Sequence, residues 1–416
     1  MFIEVGFGSG TQSVEVPDGN LMGVLAPNRV EHDLTGVDEV IRALENPIGT
    51  PRLRNIVRPG ERIAVVTSDI TRPFPTYAVM PALLDELYAA GVDPADITLV
   101  FALGSHRFHT EEERRHLAGE RAWREIRCID GDPSSCVHVG KTKAGTPVDI
   151  VDVVADADRR ICLGNIEYHY FAGYSGGAKA LMPGVSTREA IQANHTKMVD
   201  PRSCAGNLDD NPVRQDIEEA AAMVDCDFLL NVVLDERKRI VKAVAGDLVR
   251  AHREGCRFLD SLYRVEVPRR ADVVIVSQGG APKDLNLYQT QKALDNAKHV
   301  VAEGGVVVLV GSCAEGLGNK TFEDWMMRAK SPHDLIDWVQ ADFKLGGHKA
   351  AAIAMVMEHA DVYLVSDLDP GLASDLFFTP FSTLSDAYAA AMEKMGPDAS
   401  VLVMPYGGST LPKLAE

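Results

Sequence analysis

The chain has 416 residues, of which 46% are hydrophobic and 25% are charged. This length predicts two or three domains, and this composition is typical of a soluble globular enzyme rather than of a disordered, collagen-like or coiled-coil protein. The formal charge of −18 repels polyanions, so we expect no binding to nucleic acid and none to anionic membrane surfaces.

The cysteine pattern and the apolar runs favour a cytoplasmic protein. The seven cysteines are odd in number and no two have CxxC spacing, which indicates reduced thiols rather than disulfides or a thiolate zinc site. The first residues carry no signal-peptide pattern. The longest apolar run, residues 350–357, is far shorter than a membrane span.

The first half of the chain alternates apolar strands with amphipathic helices. Two strand-like runs within residues 2–16 flank a Gly-Ser-Gly turn and predict a β-hairpin. Buried strands are predicted at 62–67 and 97–103, with a helix between them at 76–90. A strand, a helix and a strand at this spacing predict a βαβ unit with a parallel pair.

The rest of the chain continues this alternation. We predict strands at 160–166, 228–234 and 240–245, the last two as a hairpin, and helices at 188–195, 212–223 and 248–262. From about residue 271, apolar runs at 273–276, 306–310, 362–365 and 401–404 are separated by helical stretches. Such alternation predicts a doubly wound parallel sheet, and the Pro and charges at 265–270 suggest a linker.

The predicted fold class is therefore α/β, with two domains that are each a mostly parallel sheet flanked by helices. Residues 1–268 form the predicted N-terminal catalytic and cofactor domain. Residues 269–416 form the predicted C-terminal α/β domain, whose last residues are candidates for packing back on the N-terminal domain.

The first candidate functional residues follow the two strands of the βαβ unit, because ligands of open α/β sheets bind beyond the carboxyl ends of the strands. SDITRP at 68–73 contains Asp69, which can cap a helix, and Arg72, which can bind an anion near helix donors. GSHR at 104–107 contains His106, which can act as a general acid or base. A solvated Arg and a structural His are the alternatives.

Residues 165–195 carry the densest set of candidates. The segment combines His169, the pair Gly176 and Gly177, Lys179 and His195. Glycines allow a ligand close to the backbone, successive amides can bind phosphate, and a Lys can contact phosphate or attack a carbonyl once deprotonated. The glycine spacing fits neither the Walker A loop nor the dinucleotide fingerprint. A merely structural turn would not need two His and a Lys.

Three further candidates lie on one helical turn after strand 273–276. Tyr288, Gln289 and Lys292 can face the same cleft, although an ordinary polar helix face is the alternative. The stretches 313–318 and 346–349 also follow the strand-end pattern, but they suggest no role.

Taken together, SDITRP, GSHR, the 169–195 segment and NLYQTQK resemble the nickel-dependent lactate racemase family of 2-hydroxyacid racemases and epimerases. The resemblance extends over nearly the whole chain, with the motifs in family order. It implies a two-domain α/β isomerase with its active site in the interdomain cleft. It also implies nickel and a nickel-pincer nucleotide, which is a pyridinium-3,5-bisthiocarboxylic acid mononucleotide, and transient contact with the proteins that synthesise this cofactor.

The resemblance also implies a role for each matching residue. The acid/base pair is His106 and His169, the substrate-binding residues are Arg72, Gln289 and Lys292, Lys179 carries the cofactor as a thioamide adduct, His195 ligates nickel, and the other cofactor-side residues are Asp69, Ser175, Gly176, Gly177 and Tyr288. Ala178 departs from the family pattern, since many relatives carry Arg there, and this bears on phosphate or substrate contacts.

The chemistry of such a racemase explains this set of residues. Removal of the hydroxyl proton and the Cα hydride of a 2-hydroxy acid gives a 2-keto acid, and return of the hydride to the opposite face inverts C2. Two opposed bases and a cation pair for the carboxylate serve this reaction. Lactate, malate, longer hydroxy acids and sugar acids all remain open as substrates.

Two other functions remain open from the sequence. The same fold could transfer hydride with NAD or with a non-covalently held cofactor. A non-catalytic protein that binds a nucleotide or a sugar acid is the second alternative, although binding alone does not require opposed bases.

Overall fold

The computed structural model describes residues 1–28, 30–235 and 237–415. In chain order, its strands are β1 (Phe2–Phe7), β2 (Gly10–Glu15), β3 (Leu21–Val24), β4 (Ile63–Ser68), β5 (Ile97–Ala102), β6 (Arg127–Asp130), β7 (Cys136–Lys141), β8 (Pro147–Val151), β9 (Arg159–Ile166), β10 (Tyr168–His169), β11 (Gly173–Tyr174), β12 (Phe228–Leu234), β13 (Ile240–Gly246), β14 (Arg264–Val267), β15 (Ala271–Ser277), β16 (Val301–Val310), β17 (Asp361–Val365), β18 (Thr379–Phe381), β19 (Val401–Met404) and β20 (Leu411–Leu414).

Helices separate most of these strands. They are α1 (Gly36–Glu45), α2 (Thr76–Ala89), α3 (Glu111–Glu125), α4 (Asp152–Ala155), α5 (Arg188–His195), α6 (Pro212–Val224), α7 (Arg250–Tyr263), α8 (Leu287–Ala297), α9 (Lys320–Arg328), α10 (Pro332–Ala341), α11 (Gly347–Met357), α12 (Pro370–Asp375) and α13 (Leu384–Met395). Within the described ranges, every helix is too short or too polar to cross a membrane.

The chain divides into two compact units, and each contains one large sheet. One unit is Val30–Ser261, and the other combines Met1–Arg29 with Leu262–Glu416. The sheet of the first has the order β13-β12-β9-β4-β5-β6 and that of the second β18-β17-β16-β15-β19-β3. All neighbouring pairs are parallel except β12 with β13. The predicted α/β class with mostly parallel sheets is confirmed.

The central strands of both sheets are buried on both faces. Residues 63–66 of β4 are at most 2% exposed, and residues 273–276 of β15 are fully buried. Parallel sheets covered by helices require such continuous apolar strands, and for this reason the strands could be located from apolar runs. In the unit of residues 30–261, α2 contributes Val79, Leu83 and Leu87 to the core beside β4 and β5.

The division into compact units differs from the predicted domain division at the N-terminal end of the chain. Residues 1–29, which we assigned to the N-terminal domain, lie in the unit with residues 262–416. Alternate residues of the β1–β2 hairpin, including Ile3 and Val14, are buried in a core with Val273 and Val401. Strand β3 then pairs with β19 at the sheet edge.

The predicted linker at 265–270 is also partly strand. Strand β14 pairs in parallel with β20, so residues 411–414 are hydrogen-bonded within the unit that contains residues 262–415. The apolar alternation of Val265 and Val267 is consistent with this short strand, which we read as a boundary because of the neighbouring Pro and Arg residues.

Candidate active site

The candidate residues of the unit 30–261 emerge from one edge of its sheet. Strands β9, β4 and β5 are parallel neighbours, and their carboxyl ends lead to His169, Asp69 and His106 respectively. Because parallel strands end on the same side, three segments far apart in sequence open at a common edge.

The loop after β4 and the loop after β5 are joined by an Asp–His pair. Asp69 Oδ2 lies 2.8 Å from His106 Nδ1, and Thr71 Oγ1 donates to Asp69 Oδ1 over 2.9 Å. Burial of Asp69 raises the pKa of its carboxyl, but His106, Arg72 and Thr71 together lower that pKa overall. An ionised Asp69 accepts a hydrogen bond from the Nδ1–H group of His106, so the ring presents a lone pair at Nε2.

A second Asp–His pair, whose two side chains are almost wholly buried, supports the same two loops. His109 Nδ1 lies 2.6 Å from Asp130 Oδ1, and the Ile70 amide donates to His109 Nε2 over 3.1 Å. The His109 ring therefore links the end of β6 to the segment that holds Asp69 and Arg72. His109 was not predicted as a site residue, although it follows His106 by only three positions.

The ring of Phe171 brings three of the predicted site residues together. Its centroid is 4.5 Å from the ring of His169 and 4.9 Å from the ring of His195, both in edge-on contact. The ammonium of Lys179 lies 5.8 Å from the same centroid. Phe171 itself is buried. The segment after β9 thus folds so that two imidazoles and one amine surround a single aromatic ring.

Several basic side chains lie close together in this part of the site, and their charges lower each other's pKa values. The pKa of His169 lies well below its usual value because of burial first, and then because of Lys179 and Arg72. The pKa of Lys179 is likewise well below its usual value, through burial and the charges of Arg214 and Arg72. A Lys with a lowered pKa is a better nucleophile near neutral pH.

Arg214 on α6 is the buried cation behind this cluster. It is fully buried, and it donates from Nε to Ala172 O over 3.1 Å and from Nη2 to Tyr174 O. Burial lowers the pKa of Arg214 to about 10, so it remains charged at neutral pH. Among the described residues its Nη1 has no hydrogen-bond partner. Arg214 therefore fixes the backbone on either side of Gly173 through these hydrogen bonds, and its charge makes the local potential more positive.

The glycines before Lys179 allow the loop to pack tightly against two polar side chains. Gly176 and Gly177 have φ values of 71° and 59°. The Gly177 amide donates to Asn231 Oδ1 over 2.7 Å, and His252 Nε2 lies 2.8 Å from Ser175 O. The Ser175 hydroxyl donates to Asn165 O over 2.8 Å. The Gly177 amide and the Ser175 hydroxyl are thus used to fix the loop itself.

Gly177→Ala is expected to lower the free energy of unfolding by more than the strain of a positive φ alone would lower it. A Cβ at Gly177 would lie 2.8 Å from Cγ of His252, whereas a Cβ at Gly145, also with positive φ, would have no atom within 4 Å. Urea unfolding should therefore show a loss for Gly177→Ala that exceeds that of Gly145→Ala by about 1–3 kcal/mol, the usual cost of overpacking. Equal losses would mean that the contact with His252 relaxes freely.

The candidate residues of the other unit lie at the start of α8. The side chain of Asn286 caps this helix by accepting from the Gln289 amide over 3.1 Å. Tyr288 is held by Lys349, whose ammonium donates to Tyr288 O over 2.6 Å and lies 4.0 Å from the ring centroid. Lys349 belongs to the 346–349 stretch, for which the sequence suggested no role. Lys292 is exposed on the same helix.

The structure thus groups Asp69 with His106, and His169 with Lys179 and His195, all within one unit. Tyr288, Gln289 and Lys292 belong to the other unit, so the prediction of a site in a cleft between the domains stays a prediction. Over residues 1–28, 30–235 and 237–415, no three His, Cys, Asp or Glu side chains are placed to hold a metal ion.

Comparison with known proteins identifies the family. Residues 7–206 match the lactate racemase N-terminal domain and residues 267–411 match the lactate racemase C-terminal domain. The lactate racemase of Thermoanaerobacterium thermosaccharolyticum is 32% identical over 421 residues, which cover 98% of this chain and 98% of that protein. The lactate racemase of Lactiplantibacillus plantarum is 33% identical over 417 residues, which cover 97% and 98%.

The fold agrees with that of a solved relative. The structure of the lactate racemase apoprotein from Thermoanaerobacterium thermosaccharolyticum matches with a TM-score of 0.89 at 31% identity, and the match covers 99% of this chain and 100% of that one. Both domain models and two full-length relatives agree, and we conclude that this chain belongs to the lactate racemase family of isomerases.

Proposed function

We propose that this protein racemises a 2-hydroxy acid through a 2-keto acid intermediate, with lactate as the first substrate to test. The names of the relatives point to lactate, and the grouping of His169, Lys179 and His195 around Phe171 carries the proposal. Membership of an isomerase family argues against the alternative of a non-catalytic binding protein.

The residues around Phe171 fit a nickel-pincer nucleotide. Lys179 has a lowered pKa, as suits an amine that would hold the cofactor covalently. Gly176 and Gly177 place no side chain beside it, and the buried cation Arg214 favours an anionic group nearby. His195 offers an imidazole nitrogen, which is a good ligand for nickel. Bound there, the cofactor would supply the hydride acceptor, and the proteins that synthesise it would be transient partners.

The two acid/base histidines would handle the hydroxyl proton. His106, oriented by Asp69, presents a lone pair at Nε2 and would accept the proton of one enantiomer. His169 Nδ1 accepts from the Ala172 amide over 3.2 Å, so the neutral ring holds its proton at Nε2. To act as the base for the other enantiomer, His169 must move that proton to Nδ1, which deprives the buried Ala172 amide of this acceptor at a cost of about 1–3 kcal/mol.

Cationic side chains would hold the substrate carboxylate. Arg72 is exposed, and its charge is among those that lower the pKa of both His169 and Lys179. A guanidinium can bind a carboxylate through two parallel hydrogen bonds, which restrains the keto acid. From the family resemblance we propose Gln289 and Lys292 as further substrate-binding residues and Tyr288 as a cofactor-side residue.

The source of the returning hydrogen tests the reaction. When L-lactate is racemised in D₂O, the D-lactate formed is expected to keep its protium at Cα, because the hydride is returned internally. Proton NMR and mass spectrometry of the product measure this directly. Deuterium at Cα would instead indicate enolisation and would overturn the hydride route. Protein made in cells unable to synthesise the pincer nucleotide is the control and should not racemise lactate.

A further inference from the structure

The two ring nitrogens of His195 are not equivalent in this structure. His195 is buried, with 8% of its surface exposed, and its Nδ1 lies 2.9 Å from Oδ1 of the preceding residue, Asn194. A neutral imidazole has one N–H and one lone pair, and only the nitrogen with the lone pair can ligate a metal ion. The contact with Asn194 therefore bears directly on which nitrogen can do so.

The orientation of the Asn194 amide is fixed by its other contacts. Its Nδ2 donates to Val213 O over 3.2 Å and to Asp216 Oδ2 over 2.8 Å. Both neighbours are acceptors, so the NH₂ group must face them and the oxygen must face His195. Reversing the amide would place its oxygen against a carboxylate and a carbonyl in a fully buried site, which is unfavourable.

Asp216 is itself held firmly in place. Its carboxylate accepts from Thr142 Oγ1 over 2.5 Å, from Thr146 Oγ1 over 2.7 Å and from Lys197 Nζ over 3.1 Å, besides Asn194. Only 3% of Asp216 is exposed. These donors keep the carboxylate ionised and immobile, so it orients the Asn194 amide rather than following it.

We propose that Asn194 is a positioning residue that holds His195 in the Nδ1–H tautomer, so that Nε2 presents its lone pair. The chain Asp216–Asn194–His195 would then prepare the ring before any metal arrives. The consequence for the metal rests on the proposed function, in which His195 is the nickel ligand. The tautomer itself does not depend on that assignment.

Asn194→Leu tests the inference in the protein without cofactor. Leucine has a similar shape but accepts no hydrogen bond, so His195 should shift toward the Nε2–H tautomer that free histidine favours in water. Selective ¹⁵N-histidine labelling and long-range ¹H–¹⁵N correlation distinguish the two nitrogens at a pH where the ring is neutral, and His195→Gln assigns the signal. In protein loaded with cofactor in cells, nickel affinity should fall by about 10–100-fold, as for other supporting residues of metal ligands.

Thr142→Val is the matched control. It removes another buried hydrogen bond to Asp216 but leaves the contact between Asn194 and His195, so the tautomer should stay Nδ1–H. If the tautomer is unchanged in Asn194→Leu, or changes equally in both variants, the positioning role is wrong. If the tautomer shifts while nickel is fully retained, the positioning role stands and the assignment of His195 as nickel ligand fails.

Discussion

Lys179→Ala is expected to abolish both the covalent mass increment and the racemase activity of protein made in cells that synthesise the pincer nucleotide. The amine at this position is the proposed point of attachment, and its lowered pKa arises from burial, Arg214 and Arg72. Alanine offers no nucleophile, and the neighbouring side chains supply no other amine on this loop. Intact-mass spectrometry with nickel analysis of the same sample measures the outcome.

Lys143→Ala is the control for this variant, because Lys143 is exposed on a turn and should keep the increment and the activity. An unchanged increment in Lys179→Ala would show that the cofactor is attached elsewhere. Wild-type protein that is active without nickel and without any increment would instead favour the alternative in which NAD or a non-covalent cofactor accepts the hydride.

The chain is acidic overall, but several of its basic side chains are clustered around the candidate site. The net charge is −18, yet besides its burial the nearby charges of Lys179, Arg72 and Arg214 lower the pKa of His169. Their mutual repulsion is relieved when an anion binds among them. Burial, Arg214 and Arg72 lower the pKa of Lys179. A 2-hydroxy acid and a nucleotide phosphate are both anions, so the same two cations also favour the proposed ligands.

The parts of the site that follow strands could be predicted from the sequence. Buried parallel strands are continuous apolar runs, so the ends of β4, β5 and β9 were visible, and with them Asp69, His106 and His169. The rule that ligands bind at the carboxyl ends of parallel strands then placed these residues at one edge. In the observed sheet the three strands are neighbours in the order β9-β4-β5.

The supporting residues could not be predicted, because they depend on contacts between distant segments. Asp130 reaches His109 from another strand, and Asp216 reaches Asn194 across 22 positions. Arg214 lies on the predicted helix 212–223, where nothing in the sequence singles it out, yet it is fully buried. Phe171 was visible inside the 165–195 segment, but an aromatic residue there is equally consistent with simple packing.

The assignment of residues 1–29 to the N-terminal domain was wrong for a related reason. The hairpin itself was recognised from its alternating pattern, but alternation does not specify which sheet its apolar face covers. Proximity in sequence favoured the N-terminal domain. The structure instead buries Ile3 and Val5 with residues 273–310 of the other unit, a contact across more than half of the chain.

The largest effects after the loss of Lys179 are expected for the two acid/base histidines. His106→Ala and His169→Ala should each lower the kcat of racemisation by about 10²–10⁴, the usual scale for a lost general acid or base. The covalent increment and nickel should remain in both variants, because neither ring holds the cofactor. A variant with near-normal turnover would lose its proposed role.

Single-turnover experiments separate the roles of the two histidines. If each ring is the base for one enantiomer, then His106→Ala should still form keto acid from one enantiomer of lactate and His169→Ala from the other, as measured by acid quench. In His106→Ala this half-reaction depends on His169, whose pKa lies well below the ordinary 6.5. A ring with a lowered pKa stays neutral as the pH falls, so the rate should remain level through pH 6.5. A decline centred near pH 6.5 would mean that His169 is not the base, or that bound substrate cancels the effect of Lys179 and Arg72.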